Sequence, residues 1–208
     1  MVFKLAHKTS ILQRLYTDYV CYVEEISLIE EDYLWPNVSV YVDNPKSIED
    51  FLVLSCPSFY WEGKSLSAYM TTRNKSNIRV FAEVLKTKRD FQTHLQTSGE
   101  NETCIRQFMD WLPKSYAVRY LRADSQTFKP YLLNSEKAVQ LTPENIKQLQ
   151  PSVSPHFVKR IATAPVYSYL NEKQELVAMS GVGFLTKKSF AISYTETNVE
   201  CRNKGLAK

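Results

Sequence analysis

The chain has 208 residues and a formal net charge of +4; 44% of its residues are hydrophobic and 12% are aromatic. This aromatic content excludes disorder as the main state, because so much apolar surface is not left in water. The charge is too small and too evenly spread to indicate a nucleic-acid groove, and no apolar run is long enough to cross a bilayer. We expect a globular protein that binds neither nucleic acid nor membrane.

The positions of the cysteines and histidines predict no metal site. The cysteines lie far apart and form no Cys-x-x-Cys pair, and the histidines lack the spacing of metal ligands. These residues are Cys21, Cys56, Cys104, Cys201, His7, His94 and His156. Because no secretory signal is evident, reduced thiols and a cytoplasmic location are predicted, and a mitochondrial location stays open.

The N-terminal part of the chain is predicted to begin with a helix over 9–32. Its apolar residues recur every three or four positions, and Ser10 with Gln13 resembles a capping box. Alternating apolar residues predict a strand at Val38–Val42. The further elements predicted in this part are a short helix at Ser47–Leu54, strands at Phe59–Trp61, Leu66–Met70 and Asn77–Leu85, helices over 88–97 and 102–112, and a strand at Ser115–Leu121.

A polar stretch over 123–130 indicates a connection between two regions. We predict an N-terminal α/β region, residues 1–125, and a second region, residues 126–208. In the second region, Thr142 and Pro143 favour a helix start. Thr142 can accept backbone amide protons, and a proline at the first helical position loses no hydrogen bond.

Three strands are predicted near the end of the chain, after a short helix at His156–Ala162. They are Pro165–Leu170, Glu175–Leu185 and Ser189–Thr197. The short loops between them imply antiparallel hairpins. The predicted fold class is therefore α+β, with a mixed, mostly antiparallel sheet flanked by helices.

The last predicted strand runs into a loop with an Arg-x-x-Gly-x-Ala pattern, where a helix should begin. Its residues are Arg202, Asn203, Lys204, Gly205, Leu206 and Ala207. A helix N-terminus offers unpaired amides and a positive dipole end, and so binds phosphate. Gly205 lets the backbone approach an anion, and Arg202 and Lys204 add positive charge. The alternative interpretation is a polar turn that ends in a basic tail.

Together with the hairpin before it, this loop resembles the GNAT superfamily of acyl-CoA-dependent N-acyltransferases. The resemblance covers residues 140–208 and includes Thr197 and Glu200 at their spacing from Arg202. The order of the segments is similar to that of the glycine N-acyltransferases. Whether residues 1–125 form a degenerate GNAT half stays open.

The resemblance implies transfer of an acyl group from acetyl-CoA or another acyl-CoA to an amine. Residues Arg202 to Ala207 would hold the pyrophosphate, and the backbone of Thr195, Glu196 and Thr197 would hold the pantetheine arm. A backbone N–H near Tyr194–Glu196 would stabilise the oxyanion. Glu196 is the candidate base, and the alternative is that it points to solvent or pairs with Lys204.

Two departures from the family pattern carry expectations of their own. Asn203 stands where members often have Gly, and we expect the loop to form because Asn tolerates unusual backbone angles. The sequence ends at Lys208, on the first turn of the helix that would bind phosphate. We therefore expect an N-terminal fragment of a longer product, or completion of the fold by elements from elsewhere.

Two other classes of function stay open from the sequence. One is a non-catalytic GNAT-like interaction module, and the other is an RNA-binding α+β domain, which only the mild positive charge favours. Binding of coenzyme A would separate the acyltransferase from the other two. The acceptor amine, the acyl chain length and the oligomeric state are not predicted.

Overall fold

The computed structural model describes residues 2–32, 34–57, 63–109, 138–150 and 155–203. The chain divides into two compact units, which we call unit 1, Met1–Tyr120, and unit 2, Leu121–Lys208. Each unit contains one sheet. The division into an N-terminal α/β region over 1–125 and the first half of a GNAT-like acyl-CoA-binding domain over 126–208 stays a prediction.

Unit 1 has a five-stranded sheet in its described residues, with the strands ordered as they follow in the chain. Its elements are β1 (Phe3–Lys4), α1 (Thr9–Leu15), α2 (Val23–Glu30), β2 (Val38–Val42), β3 (Phe51–Ser55), β4 (Ser65–Thr71), α3 (Lys75–Lys86), β5 (Gln92–Thr97) and α4 (Gly99–Phe108). Neighbouring strands are antiparallel, except that β4 and β5 are parallel. A parallel pair needs a crossover connection, which α3 supplies.

Helices cover both faces of this sheet. Residues of α1 and α2, such as Ile11 and Ile26, share one core cluster with Phe51 and Val53 of β3. The helices α3 and α4 contribute to a second cluster with the alternate residues of β3, Leu52 and Leu54. All five residues of β3 are therefore buried, and the strand is a continuous apolar run without alternation.

The strand predicted at Asn77–Leu85 is wrong, because this segment belongs to α3. The side-chain oxygen of Asn74 accepts the backbone N–H of Ser76 at 2.9 Å and caps the helix. The buried residues recur at the three- and four-residue spacing of one helix face. They are Ile78, Phe81, Ala82 and Leu85.

Two segments predicted as helices are strands. The helix expected at Ser47–Leu54 is replaced by β3, because a short buried apolar run carries no periodicity that separates helix from strand. The helix expected over 88–97 is replaced by β5, whose residues Gln92–Thr97 pair with β4. Pairing with a distant strand overrides local preference there.

The single helix predicted over 9–32 is interrupted between α1 and α2. The hydroxyl of Thr17 donates to the backbone carbonyl of Arg14 at 2.7 Å, and local side-chain bonds of this kind compete with helix continuation. The capping box at Ser10 is also wrong, since no side chain caps α1.

Other predictions for unit 1 are confirmed or fall outside the described residues. The strands at Val38–Val42 and Leu66–Met70 are present as β2 and within β4, and α4 overlaps the helix predicted over 102–112. Three predicted segments lie outside the described residues, namely Phe59–Trp61, Ser115–Leu121 and 123–130.

Unit 2 has a four-stranded antiparallel sheet in its described residues, again ordered along the chain. Its elements are β6 (Ala138–Gln140), α5 (Asn145–Leu149), α6 (Pro155–Thr163), β7 (Val166–Leu170), β8 (Leu176–Leu185) and β9 (Phe190–Thr197). The two helices and the hairpin strands predicted for this region are confirmed. So is the predicted α+β class, with mixed and mostly antiparallel sheets flanked by helices.

A reciprocal pair of hydrogen bonds begins α5. The Thr142 hydroxyl oxygen accepts the backbone N–H of Asn145 at 3.2 Å, and the Asn145 side-chain oxygen accepts the backbone N–H of Thr142 at 2.8 Å. This confirms that Thr142 accepts an amide proton at the helix start. The helix then places Ile146 in a core cluster with Ile161 of α6 and Val166 of β7.

The core of unit 2 lies between its two helices and one face of the sheet. Val166 and Met179 belong to that face and contact the helix residues. On the other face, Tyr167, Phe190 and Ile192 are 52%, 62% and 63% exposed. Among the described residues of both units, no helix is long and apolar enough to cross a membrane.

Candidate functional site

The outer side of β9 is an open sheet edge. Within the described residues, β9 is the last strand of its sheet, and β8 is its neighbour on the inner side. Backbone N–H and C=O groups on an open edge can pair with another extended chain. The predicted pantetheine-binding residues Thr195, Glu196 and Thr197 all lie on this strand.

The register between β8 and β9 fixes the direction of each backbone group. The Asn198 N–H donates to the Val177 carbonyl at 2.8 Å, and the register is continuous from there back through Thr195. Hydrogen-bonded and non-hydrogen-bonded pairs alternate along an antiparallel ladder. The N–H and C=O groups of Thr195 and Thr197 therefore point to the open edge, whereas those of Glu196 point to β8.

A β-bulge precedes this segment. Tyr194 pairs with Gly181 and Ile192 pairs with Val182, so Ser193 is an extra residue on β9. A bulge bends its strand and increases the local twist, and bulges are frequent beside active sites. The bend separates the edge at Thr195 and Thr197 from the first part of β9.

The side chains of Thr195 and Glu196 lie on opposite faces of the sheet, because successive residues of a strand alternate. The Thr195 hydroxyl lies 3.1 Å from the Ser180 hydroxyl. Glu196 pairs in register with Met179, which packs against the core on the helix side. The exposed Glu196 carboxylate is therefore at the rim of the helix-covered face.

Asn198 organises the loop that follows β9. Its side-chain oxygen accepts the backbone N–H of Glu200 at 3.3 Å, and its carbonyl accepts the N–H of Cys201 at 2.8 Å. The Arg202 N–H donates to the Val199 carbonyl at 3.3 Å. The amides of 200–202 are thus bonded within the chain and are not free to bind an anion.

The side chain of Arg202 joins the loop to β9. Its Nε donates to the carbonyl oxygen of Thr197 at 3.1 Å, so two of the predicted site residues are brought together. Its terminal guanidinium nitrogens bond to none of the residues that the structure describes, and the side chain is exposed. Asn203 has φ +63°, in the left-handed region that Asn tolerates better than most residues.

Four of the predicted phosphate-binding residues, Lys204, Gly205, Leu206 and Ala207, lie outside the described residues, and their role stays a prediction. Sequence reasoning missed Ser180 and Asn198. An Asn directly after a strand is typical of a local turn in which its side chain bonds the backbone, so Asn198 could have been found. Ser180 is identified only through the register of β8 and β9.

No group of three or more His, Cys, Asp or Glu side chains could hold a metal ion in the part of the chain that the structure describes. The four cysteines are free thiols. Cys201 lies in the turn after β9 and is partly exposed.

The chain is similar to a protein whose structure has been solved. It is a GCN5-related N-acetyltransferase-like protein from Streptococcus suis 89/1591, 12% identical in sequence, with a TM-score of 0.49. The similarity covers 94% of this chain and 79% of that protein. No protein-family model matches the chain, and no curated protein matches its sequence.

Proposed function

We propose that this chain binds acyl-CoA through unit 2 and transfers the acyl group to an amine, as a GNAT-type N-acyltransferase. The observation that carries the proposal is the open edge of β9, which directs the backbone groups of Thr195 and Thr197 outward. The strand leads directly into the loop in which Arg202 is anchored to Thr197. A strand edge and a cationic loop follow each other in the order that an extended ligand with a terminal phosphate group requires.

The pantetheine arm of coenzyme A is an extended chain with two amide groups. Such a chain can pair with a strand edge as another strand would, through alternating N–H and C=O groups. Thr195 would offer its C=O to the arm, and Thr197, about 7 Å further along the strand, would offer its N–H. The Thr197 carbonyl already accepts the Nε of Arg202. The bulge at Ser193 bends β9 before this segment, which leaves the edge accessible where the arm would lie.

Arg202 would bind the pyrophosphate at the end of the arm. With Nε held by Thr197, its terminal N–H groups are free to form charge-assisted hydrogen bonds with phosphate oxygens. After Asn203, which has φ +63°, Lys204 and Gly205 would provide a cation and free amides.

The chemistry would require an oxyanion donor and a proton acceptor. A neutral amine attacks the thioester carbonyl, the new C–N bond forms and the C–S bond breaks. The amine loses one proton, and the CoA thiolate takes up one. Of the backbone groups at 194–196, the Thr195 N–H faces the open edge and would stabilise the developing oxyanion. The exposed Glu196 carboxylate would accept the amine proton, directly or through water.

Substitution of Thr195 by proline tests this assignment. Proline removes one backbone N–H, and here that N–H points away from β8, so the ladder between β8 and β9 keeps its bonds. Release of the CoA thiol from acetyl-CoA, measured over a panel of amines, should fall by roughly two to three orders of magnitude in kcat. The matched control, Thr195→Val, removes only the hydroxyl and should retain turnover.

The test has clear contrary outcomes. Full turnover in Thr195→Pro would exclude the Thr195 N–H as the oxyanion donor. If coenzyme A binds by calorimetry but no amine in the panel causes thiol release from acetyl-CoA, the result would contradict catalysis and favour the interaction module. Absence of coenzyme A binding in the native chain would overturn the proposed function as a whole.

A further inference from the structure

The hairpin of β8 and β9 extends beyond the other strands of its sheet. The pairing of β7 with β8 ends where the Val182 N–H donates to the Pro165 carbonyl at 3.0 Å. The ladder between β8 and β9 continues from there to the pair of Leu185 and Phe190. Within the described residues, the end of the hairpin is therefore a ribbon of two strands, which we call the hairpin tip, residues 183–192.

One side of the hairpin tip is apolar and exposed. Leu185 and Phe190 lie opposite each other on the two strands. Ile192 lies on the same side as Phe190, because alternate residues of a strand share a face. The exposed fractions of Leu185, Phe190 and Ile192 are 39%, 62% and 63%. On the opposite side Phe184 is buried, so the ribbon is covered on one face only.

Two lysines occupy the turn at the end of the hairpin tip. Lys187 and Lys188 are both exposed. The sequence has no acidic residue over 176–195, and Glu196 lies near the other end of β9, roughly 20 Å from the turn along the strand. The tip thus combines exposed apolar side chains with a positive charge that no acidic residue of these two strands neutralises.

The turn at the tip bonds its own backbone groups. The Thr186 hydroxyl oxygen accepts the N–H of Lys188 at 3.2 Å and that of Ser189 at 2.9 Å. The Ser189 carbonyl accepts the Thr186 N–H at 2.9 Å. A segment that enters the boundary of a bilayer loses contact with water, and an unbonded backbone group is costly there. These three amides would not incur that cost.

We propose that the hairpin tip docks the chain on the surface of an anionic lipid bilayer. Leu185, Phe190 and Ile192 would enter the boundary between headgroups and acyl chains. Lys187 and Lys188 would extend to the anionic headgroups. The expectation that the chain binds no membrane rests on the absence of an apolar run long enough to cross a bilayer, and a surface contact needs no such run. This docking does not depend on binding of acyl-CoA.

Other occupants fit the hairpin tip less well. A twofold contact between copies of the chain would bring together two tips that carry the same charge, which is unfavourable. The three exposed apolar side chains offer well under the roughly 800 Å² that each partner buries in a standard protein interface. A bilayer surface has no fixed shape to match, and its anionic headgroups complement both lysines.

Co-sedimentation of the full chain with lipid vesicles tests the proposal. The native chain should bind vesicles of equimolar phosphatidylserine and phosphatidylcholine roughly tenfold more tightly than vesicles of phosphatidylcholine alone. Lys187→Glu should weaken binding to the mixed vesicles roughly tenfold. The matched control Lys173→Glu makes the same change of charge in the exposed turn between β7 and β8 and should leave binding unchanged.

A second variant tests the apolar side of the hairpin tip. Phe190→Thr keeps a residue that favours strands and should weaken binding to the mixed vesicles roughly tenfold. Val199 is 70% exposed in the turn at the other end of β9, so the matched control Val199→Thr should bind as the native chain does. Thermal melting of each variant shows whether it is folded.

The possible outcomes decide between these occupants. No binding of the native chain to the mixed vesicles, or equal binding to both kinds of vesicle, would overturn the proposal. Equal losses in Lys187→Glu and Lys173→Glu would also overturn it, because net charge would then account for the attraction. A dimer in analytical ultracentrifugation that Phe190→Thr dissociates would assign the tip to contact between copies instead. Weakened binding in folded Lys187→Glu and Phe190→Thr, with both controls unchanged, would support the proposal.

Discussion

The Nε of Arg202 donates to the carbonyl oxygen of Thr197 at 3.1 Å, across five residues of chain. Because this carbonyl faces the open edge of β9, the bond ties the loop to the strand from which it leaves. The guanidinium is thus positioned beside the edge that would hold the ligand. Its position depends on this bond to the backbone, and it pairs with no acidic side chain among the residues that the structure describes.

Arg202→Ala should weaken the binding of coenzyme A by roughly ten- to a hundredfold, the range expected for losing a hydrogen bond to a charged group. The effect should shrink as salt is raised, because exposed charges are screened. Lys173→Ala, in the exposed turn between β7 and β8, removes an equal charge and should have no effect. Equal losses in both variants would point to net charge as the cause instead.

Glu196→Gln should lower kcat for acyl transfer by roughly two to four orders of magnitude while the dissociation constant for coenzyme A stays unchanged. The substitution keeps the shape of the side chain and removes its capacity to accept a proton. Glu172→Gln in the turn after β7 is the matched control and should retain full kcat. An unaffected kcat in Glu196→Gln would assign deprotonation of the amine to another group.

Glu25 of α2 is buried without a hydrogen-bond partner for its Oε2. Burial raises its pKa from 4.5 to about 8; a bond from its own backbone N–H opposes the shift, and the neighbouring Glu24 adds to it. Since the unfolded chain ionises at lower pH, unit 1 should lose stability as pH rises from 4.5 to 8, with no further loss above that.

Glu25→Gln should remove this dependence. At about 1.4 kcal/mol per pKa unit, the difference in free energy of unfolding between the variant and the native chain should shift by about 5 kcal/mol in favour of the variant as pH rises from 4.5 to 8. Denaturant unfolding at pH 4 and pH 9 measures the change. A constant difference between the two proteins at both pH values would show that Glu25 ionises normally in the folded chain.

Asp50→Ala should lower the free energy of unfolding of unit 1 by about 3 kcal/mol. The backbone N–H of Arg73 and the side-chain amide of Asn77 would both lose a charged acceptor. Asp90→Ala, at an exposed position after α3, should change it by no more than about 0.5 kcal/mol. Denaturant unfolding provides both values. If Asp50→Ala changed the free energy of unfolding as little as Asp90→Ala, water would have to replace the Asp50 carboxylate as the acceptor.

The elements of unit 2 were predicted better than those of unit 1, because the contacts that form them join residues closer together in the sequence. Unit 2 is built from hairpins and from a helix that begins with the bond between Thr142 and Asn145, signals that lie within a few residues. In unit 1, β5 forms by pairing with β4 across a helix, and Gln92–Thr97 has no local pattern that announces it.

The candidate site divides in the same way. The strand at Thr195–Thr197 and the place of Arg202 could be predicted from neighbouring residues. The bond of Thr195 to Ser180 depends on the register of two strands, and in unit 1 the contact of Asp50 with Arg73 joins residues that are 23 apart in the chain. Contacts of this kind depend on the register of the folded sheet, so the pattern of neighbouring residues in the sequence does not predict them.

The bulge at Ser193 also bears on colloidal behaviour. A straight, unprotected sheet margin invites identical molecules to add strand upon strand into fibrils. Here Phe190 and Ile192 lie on one side of the bulge and Thr195 and Thr197 on the other, so an incoming copy would lose alignment within a few residues. The residue inserted at Ser193 thereby disfavours polymerisation along this edge and leaves it long enough for a short extended ligand.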